Sequence, residues 1–263
     1  MSSDRADDFP AGPTIGIRPL AREPWVEIAD GAVLANWSAE DEIRYNQQNR
    51  QSEKLRFFRQ VFDFLKENEI GGDYHEFGCH RARTFRMALT EARRKNLHDM
   101  AFWAFDSFAG LPAPETETSV GKWTQGALAT SEQEFLRLIA EHGIYTDKVR
   151  TVKGLYGDSL TPALKQQFAD SGDKIALANI DCDLYESAVR VFDFIDPLLQ
   201  DGAVIYVDDL FAGYKGHPHK GVAKGFLEWQ KRTRWKLVRH LDIGWWGRSY
   251  IVYLDKEGVD GVL

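Results

Sequence analysis

A doubly wound α/β domain with an N-terminal extension is the fold that three features of the sequence predict. Residues 175–180 (IALANI) and 203–207 (AVIYV) are short apolar runs, the signature of strands covered on both faces. Between them, Ala188, Val191, Phe192, Ile195, Leu198 and Leu199 fall on one face of a helix over 186–199, so the unit reads strand, crossover helix, parallel strand. Upstream, the same alternation of apolar run and amphipathic segment recurs until five units have been counted, followed by a closing strand pair.

Taken in order, residues 1–22 are rich in Pro, Gly and Asp without periodicity and read as an arm. Scattered apolar residues from 25 to 37 are consistent with a short element or lid. The division is therefore an arm or lid over 1–44 and one domain over 45–263. A helix is expected over 46–68 on the stripe Leu55, Phe58, Phe62 and Leu65, widened by Phe57, Val61 and Phe64. So wide an apolar face predicts burial against both the core and a second subunit.

Tyr74 to Gly78 reads as a strand ending in a turn, with a helix behind it carrying Phe85, Ala88, Leu89 and Ala92. Residues 100–105 are an apolar strand ending at Asp106, and 107–126 are loop. A helix over 132–142 leads to a strand over 149–152. Thr161 and Pro162 supply an N-cap and an N1 proline for the next helix. After the central unit come a helix marked by Val222, Phe226 and Trp229 and strands over 235–241 and 249–254.

Composition narrows the function. The chain has 263 residues, and its formal charge of −7 argues against nucleic acid or an anionic membrane as partner. Apolar runs stay well short of the roughly 20 residues of a membrane span, and the polar N-terminus has no signal-peptide core, so a cytoplasmic location is expected. Cys79 and Cys182 are too few for a disulfide framework and read as reduced packing residues.

The chemistry concentrates at strand ends. Asp181 and Asp183 follow one apolar run, Asp208 and Asp209 the next, and parallel strands deliver both pairs to the same sheet edge. Four carboxylates gathered there repel one another unless a cation holds them, and oxygen-only ligation suits Mg²⁺, Ca²⁺ or Mn²⁺. Helix capping or cofactor contact by one or two of the acids is the alternative. Glu76-Phe77-Gly78 is a strand-turn-helix start of the kind that serves NAD, FAD and S-adenosylmethionine (SAM) alike, and an ordinary glycine turn explains it equally well. The full G-x-G-x-x-G fingerprint of a dinucleotide-binding oxidoreductase is missing. Asp106, beside Ser107, either accepts from ribose hydroxyls or caps its own loop; Asp158, between Gly157 and Ser159, either meets an adenine or makes a turn. His217 and His219 lie in a glycine-flanked loop as candidate bases or as solvated residues. Trp245-Trp246 reads as a pocket wall or as core.

Together the segments GDYHEFG, FWAFDSFAGLP, VKGLYGDSL, ANIDCDLYESA, GAVIYVDDLF and GVAKGF, spanning about residues 55–226, resemble the macrocin O-methyltransferase (TylF) family of SAM-dependent sugar O-methyltransferases. The resemblance implies a class I methyltransferase sheet with an antiparallel closing strand, a glycoside acceptor from a natural product, and a homo-oligomer. It implies Mg²⁺ on Asp181, Asp208 and Asp209, with Asp183 as general base and His217 or His219 as substitutes. SAM would contact Glu76, Phe77 and Gly78, then Asp106 and Ser107 at the ribose, the Gly157-Asp158-Ser159 segment near the adenine, and Asp181. In the implied reaction a cation lowers the pKa of the acceptor hydroxyl, Asp183 takes its proton, and the oxygen attacks the SAM methyl. One departure stands out: Ala82-Arg83 occupies the place of a glycine pair usual in the family. A nucleotide-cofactor oxidoreductase and a non-catalytic SAM-binding scaffold are the alternatives.

Overall fold

The computed structural model describes residues 38–114 and 123–255. The arm expected over 1–37 lies outside them. The first helix, α1 (Ala39–Glu67), begins seven residues before the sequence pattern announces it. Its first two turns are mostly acidic and polar, with Ile43 exposed, so no apolar stripe marks them. The start is fixed by Ser38, whose Oγ accepts from the Asp41 N–H while Asp41 accepts from the Ser38 N–H, a reciprocal cap.

The other elements follow in alternation: β1 (Asp73–Phe77), α2 (Arg83–Arg94), β2 (Phe102–Asp106), α3 (Glu132–His142), β3 (Val149–Lys153), the single turn α4 (Tyr156–Ser159), α5 (Pro162–Ser171), β4 (Ile175–Ile180), α6 (Tyr185–Ile195), β5 (Val204–Val207), α7 (Gly221–Gln230), β6 (Lys236–Ile243) and β7 (Gly247–Tyr253). Thr161 caps α5 by accepting from the Leu164 N–H at 3.1 Å, with Pro162 in the first turn, as the sequence predicts.

Seven strands form one sheet in the order β3-β2-β1-β4-β5-β7-β6. The first five are parallel, and β7 runs antiparallel between β5 and β6. The strand order reverses between β1 and β4, and a crevice opens at that switch point. One apolar layer, under α1 to α3, is built on Phe58, Phe62, Tyr74, Phe85 and Phe102; the other, under α5 to α7, holds Phe105, Phe168, Val191, Phe192 and Trp229. The wide face of α1 is consumed inside the chain. Phe57 meets Tyr206 at 4.8 Å, Phe58 meets Tyr74 at 6.1 Å, and Phe64 meets His240 at 5.2 Å. The face from which self-association was expected is therefore covered by the sheet. Among the described residues no helix is long and apolar enough to cross a membrane.

Candidate active site

Register decides where the functional residues land. Phe77 pairs with Ile180 and Ile180 with Val207, so the next residues, Gly78, Asp181 and Asp208, emerge side by side. The ladder continues one step past the strands: Asp181 N–H donates to the Phe77 carbonyl at 2.9 Å, and Asp208 N–H to the Ile180 carbonyl at 2.9 Å. On the other flank, Gly78 N–H donates to Phe105 O at 3.0 Å and Gly154 N–H to Asp106 O at 2.9 Å. Five strand ends thus present Gly154, Asp106, Gly78, Asp181 and Asp208 along one edge. Gly78 has φ +93°, and a Cβ there would stand 1.8 Å from the Asp181 carbonyl oxygen, so only glycine lets β1 leave the sheet this close to β4.

A cavity of about 360 Å³ opens over this edge. Gly78, Asp106, Ser107, Asp181, Asp183, Asp208 and Asp209 all line it. Asp106 both caps its loop and braces the turn after β1: its Oδ1 accepts from Phe108 N–H at 2.7 Å and its Oδ2 from Cys79 N–H at 2.6 Å. Burial pushes its carboxyl up, against the pull of those two N–H groups. Ser107 Oγ donates to Gly110 O at 2.7 Å and tightens the same loop.

The four acids of the β4 and β5 ends act on one another electrostatically, Asp181 with Asp208 and Asp183 with Asp209. Asp183 and Asp209 adopt left-handed backbone, φ 60° and 52°, a conformation that aspartate tolerates better than most residues and that here turns both side chains into the cavity. Carboxylate oxygens of Asp181, Asp208 and Asp209 all lie within 4.8 Å of one another. Burial and then the charge of Asp208 raise the Asp181 pKa well above the carboxylate range. Asp209 is raised by burial and by Asp208 and Asp183, while burial and then Asp181 push Asp183 up to about 6. Asp208 alone is lowered: burial opposes its charge, but Lys54, Asp181 and Tyr206 outweigh it. An excess of negative charge on an all-oxygen donor set fits a hard divalent cation.

Two residues of this site escape the sequence reading. Lys54 Nζ donates to Asp181 Oδ2 at 2.7 Å and to Asp208 Oδ2 at 2.9 Å. Its position shares the α1 face of Phe57, Phe58 and Val61 at spacings i+3, i+4 and i+7; a lysine inside an apolar stripe is the signal that would have found it. Trp123 Nε1 donates to Asp183 Oδ1 at 2.6 Å from within the loop after β2, where no periodicity marks it.

Other expected contacts are rearranged. The Phe77 ring points into the core, stacked on Phe105 at 4.6 Å, and only its backbone serves the edge. Glu76 is fully buried below the cavity, accepting from Thr84 Oγ1 at 2.8 Å and from the Tyr74 hydroxyl. Past β3 the wall is Gly154, Leu155 and Tyr156. Residues 156–159 wind into α4, which turns Gly157 toward Arg190 and leaves Asp158 exposed; Ser159 Oγ donates back to Gly154 O at 3.2 Å. His217 and His219 are exposed and line no part of the cavity. Trp246 is buried core and Trp245 is 65% exposed, and neither lines the cavity. Cys79 and Cys182 are free and buried.

Of the Ala82-Arg83 pair, Ala82 is left-handed at φ 51° and Arg83 is helical at φ −67°; Arg81, just before them, is left-handed at φ 58°. Arg86, fully buried one turn later, holds this geometry by donating to Ala82 O at 3.1 Å and Arg81 O at 3.4 Å.

The profile of the macrocin-O-methyltransferase (TylF) family matches residues 36–223. Demethyldecarbamoylnovobiocin O-methyltransferase of Streptomyces niveus is 26% identical over 162 residues; the match covers 59% of this chain and 59% of that protein, less than two thirds of the relative's length. Among solved structures, the O-methyltransferase NovP superimposes with TM-score 0.61 at 22% identity, over 76% of this chain and 79% of its own. CalS11, a calicheamicin methyltransferase, gives 0.59 at 18% identity over 95% and 99%. These likenesses show the fold to be that of the class I methyltransferases. With the family profile covering most of the domain and the acid-lined sheet edge in place, this chain belongs to the macrocin-O-methyltransferase (TylF) family.

Proposed function

We propose that this chain is a SAM-dependent O-methyltransferase acting on a sugar hydroxyl of a glycosylated natural product, with a divalent cation, Mg²⁺ by preference, at Asp181, Asp208 and Asp209. The observation that carries this reading is the register-locked edge, which sets the Gly78 turn and the acid cluster in a single cavity. The family relationship favours it over a nucleotide-cofactor oxidoreductase, and relatives whose names carry a rhamnosyl or rhamnose acceptor favour a glycoside acceptor.

Bound SAM supplies an electrophilic methyl group. A bound divalent cation supplies positive charge that lowers the pKa of an acceptor hydroxyl. The chain does the rest. Gly78 and the N–H groups behind it leave room for the donor, and Asp106 offers its remaining lone pairs to hydroxyls of the donor. Asp183 takes the acceptor proton, and Trp123 orients its carboxylate through Oδ1. Burial keeps bulk water from competing for that carboxylate.

Asp208→Asn and Asp183→Asn test the division of labour. Asp208→Asn should reduce methyl transfer at least ~1000-fold and abolish its sensitivity to EDTA, with SAM affinity by calorimetry within about threefold of wild type. Asp183→Asn should lower kcat ~100-fold or more with divalent-cation binding retained. Full, EDTA-resistant activity in Asp208→Asn would end the metal reading; an unchanged kcat in Asp183→Asn would move the base elsewhere.

A further inference from the structure

Lys54 already occupies the position of a cation. Its ammonium lies between Asp181 Oδ2 and Asp208 Oδ2, with its side chain only 8% exposed. These are two of the three carboxylates assigned to the divalent ion. We propose that Lys54 is a tethered competitor for that ion: it holds Asp181 and Asp208 together until a divalent cation displaces it, and so sets the affinity of the site. The inference rests on the metal reading above.

A buried lysine is tolerated only where carboxylates replace its lost hydration, and Lys54 has two. A hard dication at bonding distance from the same Oδ2 atoms would sit within about 4 Å of the ammonium, where two positive charges in a buried setting repel strongly. Both cannot use those oxygens at once, so loading the ion requires the ammonium to withdraw, and the ion pairs it gives up are subtracted from the binding free energy. A merely structural lysine would behave in the opposite way, since damaging the scaffold weakens ion binding. Here removal of the lysine should strengthen it.

Lys54 arrives from α1, one turn after Arg50, which lines the same cavity and lies 4.8 Å over the Trp246 ring. The acids themselves come from the ends of β4 and β5. Competition therefore links the seating of α1 to the state of the acid cluster.

The test is Mn²⁺ titration, by calorimetry and electron paramagnetic resonance, of the chelator-stripped full chain without SAM or acceptor. Wild type, Lys54→Met and Lys54→Gln are compared. Lys54→Met should bind Mn²⁺ at least ~10-fold more tightly than wild type, equivalent to about 1.4 kcal/mol. Its melting temperature without metal should fall below wild type, and Mn²⁺ should raise it by more. Lys54→Gln should shift both readouts in the same direction. If Lys54→Met folds only with Mn²⁺ present, the proposal also stands, because the ion then does what the ammonium did. Equal or weaker Mn²⁺ binding in both variants overturns the competition while leaving the metal reading intact. Failure of all three proteins to bind Mn²⁺ at millimolar concentration overturns the metal reading and this inference with it.

Discussion

The two halves of the cavity are built on different principles. On the β1-β2-β3 side, the groups facing the cavity are satisfied by the backbone. Asp106 receives two N–H donors, Ser107 is tied to Gly110, and the Gly78 turn is locked against Asp181. On the β4-β5 side, four acids crowd together with one lysine, which reaches only Asp181 and Asp208, and three of the four are pushed above the carboxylate range. The first half is complete before any ligand arrives. The second half is a concentration of like charge that a ligand relieves. In the proposed reaction, shape is invested on the donor's side, and electrostatic imbalance on the side where the acceptor would lose its proton.

This contrast predicts that lesions on one side leave the other side's ligand alone. The largest effect on ligand affinity should come from Asp106→Asn. Replacing one carboxylate oxygen by an amide presents a donor to a backbone N–H, so SAM affinity should drop ~100-fold while Mn²⁺ affinity stays within about threefold. Parallel loss of both affinities in calorimetry would show that the halves are not separable. Next in size is Trp123→Phe, which removes the hydrogen bond on Asp183 Oδ1 and keeps an aromatic ring. A ~10-fold fall in kcat with unchanged SAM affinity is expected, since one charge-assisted bond is lost. An unaltered kcat would mean that Asp183 is aimed by its left-handed backbone alone.

Below the cavity, Glu76 sharpens the comparison through pH. Burial pushes its carboxyl up to about 7, against an ordinary value of 4.5, despite hydrogen bonds from Tyr74 and Thr84. Between those values the folded chain keeps a proton that the unfolded chain has released. The stability linked to Glu76 is therefore full below pH 4.5 and is lost as pH rises through about 7. Glu76→Gln should flatten the melting-temperature profile across that window and melt several degrees above wild type at pH 8. Identical profiles would place the network's charge elsewhere. The smallest effect belongs to Ala82→Gly. It relieves a left-handed alanine, so about 0.5–1 kcal/mol of stabilisation is expected in urea melts, with SAM affinity unchanged or slightly tighter. Destabilisation would indicate that the loss of backbone entropy outweighs the strain.

Sheet and crossover logic were legible because a strand buried on both faces has no polar alternation to hide it. Ile175–Ile180 and the run ending at Val207 showed both their own identity and the acids that follow them. The acid cluster was legible for the same reason: parallel strands carry their ends to one edge. Residues that act from elsewhere were not. Trp123 comes from a loop whose course no period describes. Lys54 was readable only as an anomaly in the α1 stripe, and α1 itself began earlier than its apolar face. Past β3, the local winding of α4 carried Asp158 away from the cavity, a rotation that the residue types do not specify. His217 and His219 follow Asp209 closely in sequence, yet the turns after it leave them at the surface.

The ladder of strand ends also bears on how such a chain can change. A one-residue deletion inside β4 or β5 would turn every later side chain of that strand to the opposite face and carry its acids away from the edge. Lengthening the loops after β2 or β5 leaves the pairings Phe77 with Ile180 and Ile180 with Val207 untouched. Loop residues that do not touch the acid cluster can thus vary, by evolution or by design, while the strand ends keep their order along the edge.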